Sequence, residues 1–108
     1  MSDFTQQQID AVWEKALPVP NCDSTERRKD IAGAWIIYKE YGEKSEMGWS
    51  IDHIIPLAKN GPTNLENLQA LQHQNNSCKG DDYPIFKTKI TAKGERNIEF
   101  EQTFKANL

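Results

Sequence analysis

Between Trp49 and Ile55 large apolar side chains alternate with polar ones, and Pro56 with the run Asn60-Gly61-Pro62-Thr63-Asn64 then forces the chain out of regular structure. Gln72 to Gly80 holds neither proline nor a β-branched residue and stops at glycine, which suits a short helix closed by a left-handed cap. The middle of the chain therefore reads as strand, loop, short strand, helix. Upstream, Thr5 with Gln8 makes a capping box, and Ile9, Val12, Trp13 and Ala16 recur at helical spacing, so residues 5 to 16 read as one amphipathic helix ended by Pro18 and Pro20. Ala34 to Tyr38 reads as a strand, with a helical turn as the alternative. Beyond Pro84, Phe86 to Ile90 and Asn97 to Glu101 flank Lys93-Gly94 and read as a β-hairpin or a pair of extended segments.

The expected class is α+β, and 108 residues suffice for one compact core but not for two ordinary domains. A single domain over 1–108 follows, with its motif core at about 49–82 and a C-terminal extension over about 83–108. No apolar run approaches the roughly 20 residues of a membrane span, and the start lacks the cationic and apolar regions of a secretory signal, so a cytoplasmic protein is expected. A net charge of −3 argues against a protein that coats DNA through a whole-surface positive field. Cys22 and Cys78 lie 56 positions apart without a partner at zinc-ligand spacing, and read as idle or buried thiols.

Asp52, His53 and Asn76 carry the chemistry. Phosphodiester hydrolysis builds negative charge that a divalent cation relieves, and a hard cation such as Mg²⁺ takes oxygen ligands while keeping several waters. Asp52 and Asn76 supply two oxygens, and a neutral His53 can take a proton from an attacking water. Adjacent residues of a strand point to opposite faces, so Asp52 and His53 serve one site only if the strand twists or ends there, and Pro56 makes an ending plausible. On the helix, Gln72, His73, Asn76 and Lys79 share one side, whereas Leu71, Asn75 and Cys78 fall on a stripe that could face the core.

Asp-His, then Asn67 at 14 positions after His53 (67 − 53) and Asn76 at 23 (76 − 53), resembles the Asp-His, Asn, Asn version of the HNH nuclease motif. Flanking residues Ile54, Pro56, Leu68-Gln69, Lys79-Gly80 and Asp81 agree with common HNH sequences, and Arg28-Lys29-Asp30, Gly33 to Ile36 and Gly48-Trp49 look like small stand-alone bacterial HNH proteins. The likeness covers roughly residues 27 to 82. It implies a ββα-metal fold in which Asp52 and Asn76 bind the metal, His53 is the general base, and Asn67 braces the loop and orients the His53 ring. Asn75 competes with Asn76 as ligand, and because a helix turns about 100° per residue only one can face the metal. The motif spacing selects Asn76.

Many HNH domains carry paired cysteines where this chain has Gln72 and Asn75, so no structural zinc is expected and apolar packing must hold the site. Asn in place of a final His favours Mg²⁺, with Mn²⁺ as the alternative. Candidate substrate contacts are Lys79, His73, Arg28 and Lys29, each with a bland alternative as a solvated or ion-paired side chain, while Trp13, Trp35 and Trp49 read as core. The implied activity is endonuclease cleavage of nucleic acid, DNA by analogy. The rivals are a nuclease toxin domain with an immunity partner, and a binding module that keeps the fold without cleaving. An acidic chain docking phosphate through a few cations should bind nucleic acid weakly and lose affinity steeply with salt; nanomolar binding unchanged by added salt would contradict this.

Overall fold

The computed structural model describes residues 4–108. Helix α1 spans Gln6–Trp13 and starts at the expected capping box, with the Gln8 amide N–H donating to the Thr5 hydroxyl at 3.1 Å and the Thr5 N–H to the Gln8 side chain at 2.9 Å. It ends short of residue 16 because Leu17 is needed elsewhere. Leu17 and Lys29 exchange two backbone hydrogen bonds of 2.8 and 2.9 Å, which requires extended chain at Leu17. Carbonyls left over at the helix end are taken by the Arg28 guanidinium, which donates to Glu14 O at 3.2 Å and to Ala16 O at 3.0 Å.

Among the described residues six strands form three antiparallel pairs: β1 (Arg27–Lys29) with β2 (Trp35–Ile37), β3 (Trp49–His53) with β4 (Leu68–Gln72), and β5 (Ile85–Lys93) with β6 (Arg96–Lys105). The strand expected over 34–38 is β2, and Tyr38 turns into a single 3₁₀ turn, so the strand and helical-turn readings each describe part of the segment. Strand β3 stops two residues before Ile55 because Asn67 draws the backbone off the ladder: Ile54 N–H donates to Asn67 O and Ile55 N–H to Asn67 Oδ1, both at 2.8 Å. The C-terminal segments pair as a hairpin longer than expected, with a register shift between Thr88 and Ile90.

Helix α2 (His73–Lys79) follows β4 without a loop, so strand, strand and helix form one continuous unit. Its last residue leads into Gly80 at φ 53°, ψ −132°, a positive-φ conformation that glycine adopts freely, though not the left-handed helical geometry expected. Trp13, Ile36, Trp49, Ile51, Leu68 and neighbours form the main core, with the Trp13 and Trp49 ring centres 5.2 Å apart, and all three tryptophans are buried as expected. No helix among the described residues is long and apolar enough to cross a membrane.

The three strand pairs share no ladder hydrogen bonds, and a buried carboxylate joins them. Asp30 Oδ1 accepts from the Ala32 and Ala34 N–H groups, both at 2.9 Å, while Oδ2 accepts from Gln72 N–H at 2.9 Å and Asn75 Nδ2 at 3.0 Å. Asn75 passes the linkage on, its Oδ1 accepting from Lys89 and Ile90 N–H at 2.9 and 2.8 Å and its Nδ2 donating to Ile90 O at 2.9 Å. The Gln72 side-chain oxygen caps α2 by accepting from Gln74 and Asn75 N–H. The expectation that apolar packing holds the site is thus corrected: Gln72 and Asn75 are fully buried in a polar network. Asp30→Ala orphans four buried donors at once, and should lower the unfolding free energy by about 3–5 kcal/mol in urea titrations; a loss under 1 kcal/mol would show that water replaces the carboxylate.

Candidate active site

Asp52, His53 and Asn76 border one open cleft of about 250 Å³ where β3 ends against α2. Asp52 and His53 leave the strand on opposite faces, and they reach the same cleft because the ladder stops at His53 and the chain wraps around its end through Pro56 and Leu57. Asp81, beyond Gly80, stands on the same rim.

Asp52 is buried at 5% exposure, facing Gln69 across the β3–β4 pair and Lys79 on α2. Gln69 Nε2 donates to Oδ2 at 2.9 Å, and the Lys79 ammonium lies 3.2 Å from Oδ2 and 3.3 Å from Oδ1. Burial pushes the Asp52 carboxyl above its usual range, and the Gln69 hydrogen bond and Lys79 charge oppose that shift. Of the roughly four lone-pair positions of a carboxylate, these contacts leave Oδ1 room for one more.

Asn76 lies one residue beyond the buried Asn75, and its Nδ2 donates to Ser50 Oγ at 2.5 Å. Ser50 is two residues before Asp52 and shares its strand face, so the contact holds Asn76 beside the carboxylate and leaves the amide oxygen as acceptor. His53 sits opposite Leu68 with its Nε2 2.9 Å from the Thr63 hydroxyl. When Nε2 donates to Thr63, Nδ1 carries the lone pair. Asn67 is buried and ties the loop together, donating from Nδ2 to Ile55 O at 3.0 Å and Pro62 O at 2.8 Å. It holds the backbone on both sides of the His53–Thr63 contact, and Thr63 is the ring's hydrogen-bond partner. Gly61 is required beside it, since a Cβ there would come within 1.7 Å of Ile55 O.

Two candidate substrate contacts are corrected. Lys79 has a side chain with 0% exposure and spends its ammonium on Asp52, on His53 O at 3.1 Å and on Ile54 O at 3.2 Å, so it cannot reach a phosphate. Arg28 is buried and closes α1, with a carboxylate contact to Glu14 at 3.3 Å, away from any substrate role. Lys29 lies with its ammonium 4.7 Å from the Trp35 ring centre. His73 remains partly exposed, one helical turn before Asn76. Ser50, Thr63 and Gln69 were not singled out from the sequence; the hairpin register supplies Gln69 and the alternation of β3 supplies Ser50, once β3 and β4 are known to pair.

Residues 39–82 match the model of the HNH endonuclease family. The match covers 44 of the 108 residues (82 − 39 + 1), and it is a likeness of that segment to the HNH endonuclease family. No curated protein and no solved structure matches the chain. The HNH segment contains β3, the loop, β4 and α2, and with them each of Asp52, His53, Asn67 and Asn76, so the family of nucleases and the cleft coincide in one unit.

Two oxygens on the cleft, one from the Asp52 carboxylate and one from the Asn76 amide, could hold a divalent cation. Among the described residues no three His, Cys, Asp or Glu side chains form a metal-holding group, whereas one carboxylate oxygen and one amide oxygen, completed by water and substrate phosphate, match the sparse protein ligation Mg²⁺ accepts. Lys79→Met leaves the Asp52 carboxylate buried without its cation and should cost about 3–5 kcal/mol of stability. Adding Asp52→Asn should return part of that loss in thermal or urea unfolding; a double variant no more stable than Lys79→Met would mean that packing of the lysine stem, not charge, is what was lost.

Proposed function

We propose that the chain is a metal-dependent endonuclease that hydrolyses phosphodiester bonds in DNA, with His53 as general base and Asp52 and Asn76 as ligands of one divalent ion, Mg²⁺ before Mn²⁺. The observation that carries this reading is the meeting of Asp52, His53 and Asn76 on the rim of one cleft inside an HNH segment. Bound there, the ion would offset the charge that grows on the phosphoryl and leaving oxygens.

The rest of the chemistry falls to the chain's own side chains. In the tautomer whose Nε2–H donates to the Thr63 hydroxyl, Nδ1 is the nitrogen that accepts the proton of an attacking water. Asn67 keeps the loop that carries Thr63 and the strand end that carries His53 at a constant separation. Gln69 and Lys79 hold the Asp52 carboxylate in its ionised form despite burial. Ser50 presents the Asn76 amide with its oxygen available.

One observation favours a second reading, a module that binds nucleic acid or protein without cleaving. Lys79 already neutralises Asp52, and a carboxylate so compensated attracts a cation less strongly. Plasmid nicking separates the two. The parent should nick supercoiled DNA with Mg²⁺ and stop on addition of EDTA; His53→Ala should be slower by a factor of 10² or more. Asn76→Ala should lose activity that raised Mg²⁺ partly restores. Cleavage by His53→Ala at the parent rate would remove the base assignment, and a parent that binds DNA but never cuts it would establish the second reading.

A further inference from the structure

A second cleft of about 250 Å³ opens on the other side of Asn76, lined among others by Glu43, Lys44, Ser50, His73 and Ser77. Asn76 is the one residue that lines both clefts. Ser50 and Asp52 stand two residues apart on one face of β3, a separation of about 6.6 Å, comparable to one nucleotide step of a stretched strand. Two depressions that share the Asn76 amide and take Ser50 and Asp52 from one strand face suit two successive phosphates.

The chemistry of the second cleft differs from that of the first. It offers hydroxyls from Ser50 and Ser77, an imidazole from His73 and an ammonium from the exposed Lys44, with Glu43 as its carboxylate. Burial, and after it the charges of Lys44 and Lys89, push His73 below its ordinary value. Lys44 reaches the cleft from the loop before β3 and Lys89 acts from β5, so cations from two separate elements bear on one helix position. A site of that kind takes an anion with hydrogen-bond acceptors.

We propose that the Lys44–His73 cleft binds the phosphodiester adjoining the one to be cleaved, with Lys44 as the charge contact and His73 and Ser77 as hydrogen-bond donors. The proposal rests on the nuclease reading, and its test is kept independent of cleavage. Binding of a fluorescently labelled DNA duplex is followed by anisotropy in EDTA at several salt concentrations, using His53→Ala as the background. Lys44→Ala added to it should weaken binding about 3- to 10-fold and reduce the salt slope by about 1. His73→Ala should weaken binding at low salt with the slope nearly unchanged. Lys93→Ala, at an exposed lysine of the hairpin turn that lines neither cleft, should bind as the background does. Equal binding by the Lys44 and His73 variants and the background, or an equal loss for Lys93→Ala, would overturn the subsite. Mg²⁺-dependent nicking by the parent is scored separately, so loss of the subsite leaves the nuclease reading standing, and absence of nicking bears on that reading alone.

Discussion

Helix α2 is held at both ends by buried charge, and the candidate site lies between the two anchors. At its start Asp30 accepts from Gln72 and Asn75; at its end Lys79 reaches back to Asp52 and to the carbonyls of His53 and Ile54 where β3 ends. A seven-residue helix has little stability of its own, because nucleation costs more than so few hydrogen bonds return. Its position relative to β3 is therefore a product of these anchors, and Asn76 faces Ser50 and Asp52 only as long as both hold.

The network around Asp30 also answers an architectural problem. Three two-stranded pairs, none extended by the others, leave no sheet to carry order across the molecule. Asp30 connects the turn before β2 to the start of α2, and Asn75 connects α2 to β5, so a continuous path of satisfied hydrogen bonds runs through all three pairs. At the start of α2 this chain places an amide-carboxylate cluster with no orphaned atom among Asp30, Gln72 and Asn75. The cluster fixes a short helix on a hairpin, and such a polar anchor demands burial and complete pairing.

The Asp52–Lys79 pair illustrates how structure and chemistry compete at one residue. A carboxylate buried at 5% exposure would shed its charge without a cation beside it, yet every contact that keeps it ionised also occupies one of its lone pairs. The arrangement stops one contact short of saturation on Oδ1. On the proposed reading, that remaining position and the Asn76 oxygen left free by the Ser50 contact would hold the divalent ion.

Local structure was legible in the residues themselves. The Thr5–Gln8 capping box, the strand starting at Trp49, the helix end before Gly80 and the two extended segments around Gly94 each depend on neighbours within a few positions, and each is present, with β3 shorter, the hairpin longer and the Gly80 geometry different from the expectation. The grouping of Asp52, His53 and Asn76 was legible only through motif spacing, since nothing local brings residues 26 positions apart (76 − 50) such as Ser50 and Asn76 into contact. Only the tertiary structure decided the fate of the cations. Lys79 and Arg28 look like surface charges in sequence, and both are buried, because their partners lie 27 and 14 positions away and a charge is drawn inside only where folding assembles enough oxygen around it to replace water.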